Sequence, residues 1–269
     1  MAPNSAQNTA QRSEKPRVVL VVGATGSVGR HVVTEAVRQG YATRALVRDA
    51  ARSGPLDPGA RRVVGQLTDA STLGDALAGV DAVIFTQGSS YGDALAAEAV
   101  DYGAVKNVLE ALGGRKVRIA LMTSIGVTRR GNTHDWKRRG ERLVRASGNA
   151  YTIVRPGWFD YNDDDQLEIT LLQGDTRHAG SPADGVIARH QIARVLVDSI
   201  SSDAADRLTV ELVAEYGPAQ DTLEPVFAAL DKDVPRTADG VRDERNMIAT
   251  AEPASVRDEL RAVAAAAAA

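Results

Sequence analysis

Three glycines spaced Gly23-x-x-Gly26-x-x-Gly29 end the apolar, β-branched run Val18–Val22 and open the helical pattern of Arg30–Gln39. Glycines alone also mark ordinary turns, but this spacing between a strand and a helix suits holding a dinucleotide pyrophosphate against backbone. Gly23 lets the chain leave a strand sharply, Gly26 removes a side chain where backbone must approach the anion, and Gly29 lets helix and strand pack closely. The helix N-terminus then offers free N–H groups to the negative charge. Thr25, Ser27 and Val28, which complete the loop, belong to the same expected cofactor-binding set. Metal chemistry is not expected: there is no cysteine, and His31, His134, His178 and His190 show no ligand spacing. Asn162-Asp163-Asp164-Asp165 reads as a solvated loop rather than a cation site.

The elements that must position this loop follow from patterning. Short apolar runs alternate with amphipathic stretches, which specifies parallel strands joined by helical crossovers. Strands are expected at Arg17–Val22, Ala42–Val47, Arg62–Gly65, Ala82–Thr86, Arg118–Thr123 and Ala150–Arg155, and helices near Arg30–Gln39, Ser71–Ala78, Asp93–Ala111 and Asp135–Ser147. Pro156-Gly157 closes the sixth strand, because proline cannot donate to a ladder and glycine permits an irregular exit. Beyond it, 161–185 reads as a loop with a short strand or hairpin, Arg189–Ser201 as helix, Arg207–Val213 as strand and Leu223–Leu230 as helix. The fold class is α/β, a Rossmann-type doubly wound parallel sheet with a small C-terminal substrate or lid region. The expected organisation is a flexible N-terminus (1–16), a nucleotide-binding core (17–160), a substrate-binding region integrated with it (161–230) and an appendage (231–269) that is either a lid or disordered.

With 269 residues, 43% of them hydrophobic, 25% charged and a net charge of −3, the chain has no field that implies nucleic acid or an anionic membrane. A small hydrophobic molecule is the expected partner; the oligomeric state is left open. The polar first sixteen residues lack the apolar stretch of a signal peptide, so a cytoplasmic location is expected.

The ordered series Gly23-Ala24-Thr25-Gly26-Ser27-Val28-Gly29-Arg30, Leu46-Val47-Arg48, Ala78–Val83, Met122–Gly126, Lys137–Glu141 and Val154–Phe159 resembles the short-chain dehydrogenase/reductase superfamily, in particular its atypical NmrA-like NAD(P)H-binding branch. The stretch Asp135–Asp160 also resembles oxidoreductases that include ketoreductases of aromatic polyketides, the angucyclinones of simocyclinone-type antibiotic biosynthesis among them. The second strand of this fold ends beside the adenosine ribose, and there the chain carries Arg48, a fixed cation suited to a 2′-phosphate. NADPH is therefore the expected cofactor, with Arg30 assisting and Asp49 able to neutralise Arg48. The resemblance adds Gln66 and Leu67 beside the adenine, Thr86, Gln87 and Gly88 at the fourth strand's end, Lys137 on the ribose, and Pro156, Trp158 and Phe159 near the carboxamide.

Relatives with ordinary reductase chemistry use a serine after the fifth strand and a Tyr-x-x-x-Lys pair. Ser124 and Lys137 match, and are the expected catalytic residues, but Thr133 stands where the tyrosine should. A threonine hydroxyl is a far poorer acid than a phenol of pKa ~10. Three readings follow: carbonyl reduction of a hydrophobic, polycyclic aromatic ketone or quinone with the proton taken from water, from the substrate's own phenol, or from His134, Tyr161 or Tyr91; an NADP(H)-sensing regulator; or an isomerase. The first is expected. Trp158 and Phe159 suit a flat substrate, and 161–185 with the C-terminal region would cover it.

Overall fold

The computed structural model describes residues 17–51, 53–89 and 93–268. The segment 1–16 and Tyr91 lie outside them. Strands β1 (Val18–Val22), β2 (Ala42–Val47), β3 (Arg61–Val64), β4 (Ala82–Phe85), β5 (Arg118–Met122) and β6 (Ala150–Pro156) are joined, in the order 3-2-1-4-5-6, by β10 (Leu208–Glu215) and then β8 (Glu168–Leu172). All pairings are parallel except that of β8 with β10, so the eight-stranded sheet has one antiparallel edge. The fold is α/β and Rossmann-like.

Residue alternation builds both faces. Val19 and Val21 pack with Val32 and Val33 of α1 (Gly29–Arg38) and Val195 and Leu196 of α6 (Arg189–Ser199). Leu20 and Val22 pack with Val105 and Val108 of α4 (Ala104–Leu112) and Leu143 and Val144 of α5 (Asn132–Ala146). Because the strands are parallel, their carboxyl ends gather Gly23, Arg48, Gln66, Thr86 and Ser124 along one rim, where open sheets place ligands.

Several details depart from the expected pattern. The Ser71–Ala78 helix is split into a 3₁₀ turn, Ala70–Leu73, and the short α2, Gly74–Leu77. The helix before β5 starts as α3 (Ala94–Ala96) and continues through a π-helical segment, Ala97–Gly103, before α4. The Leu167–Leu172 alternation becomes β8 against β10 rather than a local hairpin. Trp158–Phe159 (β7) pairs in parallel with Val186–Ile187 (β9). Gly157 is required at that approach, since a Cβ there would lie 2.4 Å from the Gly185 carbonyl oxygen.

Helix α5 is the largest surprise. Its basic run reads as a solvated face, yet Arg138, Arg142 and Arg145 are buried along with Glu141. They are held by the irregular segment between α7 (Glu224–Ala228) and α8 (Ala254–Ala268): Arg138 and Arg142 bind Asp239, Arg142 and Arg139 bind Glu252, and Arg145 meets Asp233. Arg155 of β6 completes the network, bridging Glu141 and Asp243 at 2.7 Å each. No helix of the described residues is long and apolar enough to cross a membrane.

Candidate nucleotide-binding site

The glycine loop is tight where it folds on itself and open where a ligand would lie. Gly23 has φ +80°, and a Cβ on it would sit 2.6 Å from the Gln87 nitrogen; one on Gly29 would sit 2.0 Å from the Gly23 carbonyl oxygen. These two glycines are fixed by packing. A Cβ on Gly26 would meet only the Gly23 oxygen, at 3.1 Å, so its outer side is an open cradle. Helix α1 begins there without a side-chain cap; its Arg30 N–H donates to the Gly26 carbonyl oxygen at 3.1 Å, and the positive end of the helix dipole still favours an anion. Thr25 and Ser27 are exposed beside the cradle, whereas the Val28 side chain belongs to the core and leaves only its backbone to the loop. The donor set fits a pyrophosphate.

Arg48 ends β2 in solvent, and its guanidinium has no ion-pair partner among the described residues. The neighbouring Asp49 does not neutralise it; its carboxylate accepts the Ala51 N–H at 2.8 Å. Arg30 is committed elsewhere: it donates to the Thr25 and Pro55 carbonyls at 2.9 and 2.6 Å, bracing the glycine loop against the β2–β3 connection. Gln66 is exposed after β3, its amide nitrogen 3.4 Å from the Arg48 carbonyl oxygen. Leu67 packs against the core, and Asn107 donates to its carbonyl. At the end of β4 the Thr86 hydroxyl donates to the Val22 carbonyl oxygen at 2.9 Å, while the Gln87 side-chain oxygen is buried without a partner among the described residues.

Lys137, in the second turn of α5, reaches the chain leaving β4. Its ammonium donates to Asp101 at 2.7 Å, and a Cβ on Gly88 would lie 3.7 Å from it. Asp101 also accepts from the Ser89 backbone and hydroxyl, so this buried carboxylate ties Lys137 to the chain leaving β4. An ammonium has three donors, leaving Lys137 two beyond Asp101. The π-helical segment carries Asp101, a placement common at functional sites. Ser124, just past β5, has its hydroxyl oxygen buried without a partner among the described residues; the adjacent Thr123 hydroxyl instead donates to Glu141 at 2.8 Å. Thr133 lies in the first turn of α5, one turn before Lys137. His134 is nearby with Nδ1 3.2 Å from the Arg129 carbonyl oxygen.

Around the far side, Pro156 ends β6 and its carbonyl accepts from Ile125 at 3.0 Å. Trp158 is 37% and Tyr161 63% exposed, with ring centroids 6.1 Å apart, edge to face. The Arg189 guanidinium lies 5.2 Å over Phe159. Between these aromatics and the β5–α5 loop runs the turn at 175–184: Asp175 accepts from the Gly126 and Thr128 backbones at 2.6 and 2.7 Å, and the His178 Nε2 is 3.9 Å from the same carboxylate.

Behind the site the buried charges are strongly tuned. Burial pushes the Glu141 carboxyl up, but Arg155 and Arg145 outweigh it and hold the group below the usual carboxylate range. Burial likewise opposes ionisation of Asp243, and hydrogen bonds from Arg155 bring it down to about 2. For Glu211 burial wins over Arg155, pushing the carboxyl up to about 8.

A family profile described as NAD(P)H-binding matches residues 23–203. The chain belongs to that NAD(P)H-binding family. Its loop, strand ends and rim residues are thus those of a family with an oxidoreductase-type fold that binds a nicotinamide dinucleotide. Among curated relatives it is 30% identical over 76% of its length to the chloroplast protein TIC 62 of Pisum sativum, covering 44% of that protein. It is 31% identical over 59% of its length to the photosystem II assembly factor Ycf39 of Cyanophora paradoxa, covering 50% of it. The chain thus spans half or less of the length of these two relatives. Among solved structures, a candidate NAD-dependent epimerase/dehydratase from Bacillus halodurans superposes with a TM-score of 0.65 at 26% identity, covering 80% of this chain and all of that one.

Sequence reasoning missed Asp101, Asp175, His178 and the Glu141–Arg155 pair. Asp101 lies in a helical stretch that looks regular in sequence, and only the helix Gly140, whose Cβ would sit 2.7 Å from the Asp101 carbonyl oxygen, signals the close approach. Gln173-Gly174-Asp175 does read as a turn, in keeping with the positive φ of Gly174 and Asp175, but nothing in the pattern signals that the Asp175 carboxylate reaches the Gly126 and Thr128 backbone.

Proposed function

We propose that the protein is an NADPH-dependent ketoreductase that reduces a carbonyl on a hydrophobic, polycyclic aromatic ketone or quinone without a tyrosine acid. What supports this is the set of polar groups at the rim: Lys137 pinned by Asp101 beside Gly88, and a buried Ser124 hydroxyl with no partner among the described residues at the end of β5, with Thr133 at the position where the resemblance expects a phenol. The nicotinamide, when bound, supplies a hydride. Lys137 holds ribose hydroxyls with its two remaining donors, and Ser124 donates to the substrate oxygen as negative charge develops on it. The Gly26 cradle and the α1 N-terminus hold the pyrophosphate, with Thr25, Ser27 and Val28 contributing from the same loop. Arg48 takes the 2′-phosphate. Gln66 and Leu67 flank the adenine, Thr86 and Gln87 line the middle of the crevice, and the backbone at Pro156 meets the carboxamide. Trp158, Phe159 and Tyr161 offer aromatic surface to a flat substrate, such as an angucyclinone, whose binding region is 161–230. The proton reaches the alkoxide from water, from a phenol on the substrate, or from an imidazole at His134. The partner is a small molecule and the location the cytoplasm.

A second reading is an NADP(H)-binding regulator with no turnover. It is favoured by the missing phenol at Thr133 and by the similarity to a protein named as an assembly factor. One assay separates the two. Purified protein with NADPH and a panel of polycyclic ketones and quinones should lose the absorbance of the reduced nicotinamide and yield an alcohol or hydroquinone. Saturable NADPH binding with no product from any compound would favour the regulator.

A further inference from the structure

A second cavity lies away from the glycine loop, at the other end of the sheet, between the C-terminal half of α5, the irregular segment around 235–250 and helix α8. Its volume is about 1000 Å³, large enough for a drug-sized ligand. One wall is apolar, formed by Ala146, Leu260 and the alanines of α8, with Pro235 and Ala249 opposite. The rest is polar, and its charged groups are mostly cationic. Arg142, Arg145, Arg207, Arg236, Arg257 and Arg261 line it against the single carboxylate of Glu252, in a chain whose net charge is −3.

The six arginines divide into two groups. Arg142 and Arg145 are buried and already neutralised by Asp239, Glu252, Glu141 and Asp233. The other four are held more loosely. Among the described residues Arg236 has no ion-pair partner, Arg257 donates to the Thr250 and Glu252 carbonyls, Arg207 pairs at 3.5 Å with the half-buried Asp206, and Arg261 pairs with the exposed Asp258. Solvent-accessible pairs of this kind hold little energy and leave the guanidinium available. Backbone geometry singles out two of these positions. Among the described non-glycine residues with positive φ, two are aspartates, which tolerate that region, and two are Arg207 and Arg236 at +56° and +66°. Both strained arginines line this one cavity.

We infer that this cavity is a binding site for an amphiphilic organic anion, its apolar body against α8 and its carboxylate or phosphate head held by Arg236 and Arg257. Guanidinium forks suit either head group, and a head group is the one part of such a ligand that an unneutralised arginine rim would recognise. The site is independent of the glycine-loop crevice.

Calorimetric titration of the full chain tests it, with dodecanoate, dodecyl phosphate and neutral dodecanol as probes, each below its aggregation concentration and with NADPH present to occupy the crevice. The expected result is one dodecanoate or dodecyl phosphate per chain, with dodecanol at least about tenfold weaker; the tighter of the two anions identifies the head group. Arg236→Glu, at an exposed position whose guanidinium is unpaired, should weaken the anions by about tenfold or more. Ala264→Trp, which fills the apolar wall, should abolish binding of all three, with thermal melting confirming that both variants fold. Absence of anion binding, equal affinity for dodecanol, or anion affinity unchanged in both variants would overturn the assignment.

Discussion

On the proposed reductase reading, Arg48 and Thr133 decide most of the chemistry between them. Arg48 is an exposed guanidinium without an ion-pair partner among the described residues, and Asp49 beside it is turned to the Ala51 N–H. A charge so placed is worth more to a 2′-phosphate than to a 2′-hydroxyl. Arg48→Ala should weaken NADPH by about ten- to a hundredfold and NADH by less than about threefold, read by titrating nucleotide fluorescence; equal losses would contradict the phosphate role. On the same reading Thr133 stands at the acid's position, with a hydroxyl far less acidic than a phenol. Thr133→Ala should therefore leave kcat within about threefold of the parent, whereas loss of about a hundredfold or more would show that this hydroxyl moves the proton. At this scale the glycine roles were legible, because a tight turn and a helix–strand contact leave no choice of residue. Asp101 was not legible: its partner Lys137 is thirty-six positions away and the two meet only because a π turn aims the carboxylate.

Helix α5 shows what composition conceals. Lys137-Arg138-Arg139 looks like a surface run because charges seldom go inside unpaired, yet acids more than eighty residues later in sequence compensate the arginines. The strands β1 to β6 were readable within a residue or two at their ends, because the central β1, β4, β5 and β6 are apolar runs buried on both faces and the edge strand β3, mostly exposed, is still bounded by turn residues. The pairing of 231–253 with α5 was not readable, since salt-bridge partners carry no sequence period. The structure predicts an unequal response to charge removal. Glu141→Gln, which strips the carboxylate shared by Arg155, Arg145 and Thr123, should cost about 3–5 kcal/mol in chemical denaturation. Asp258→Asn, at an exposed i,i+3 pair, should fall within about 0.5 kcal/mol of the parent. Similar costs for the two would mean the buried network contributes nothing particular.

Over the whole molecule, the parallel sheet gathers chemistry on its carboxyl rim while the buried charges beneath make folding respond to pH. Glu211 has a folded-state pKa raised to about 8, so its contribution is fully present below the ordinary glutamate value and is lost as pH rises through about 8. Asp243 works the other way: its pKa of about 2 gives stability above the ordinary aspartate value that is lost as pH falls through about 2. Melting temperature should decline between about pH 5 and about pH 9, and Glu211→Gln should flatten that decline. An unchanged slope in the variant would assign it to other groups. The reductase reading itself turns on where the hydride of the nicotinamide goes. NADPH deuterated at the transferring position, incubated with the protein and polycyclic ketones and quinones, should deliver deuterium to the new carbinol carbon of a ketone product, detected by mass spectrometry. Retention of all the label on a nucleotide that binds saturably, with every ketone and quinone recovered unreduced, would contradict the account.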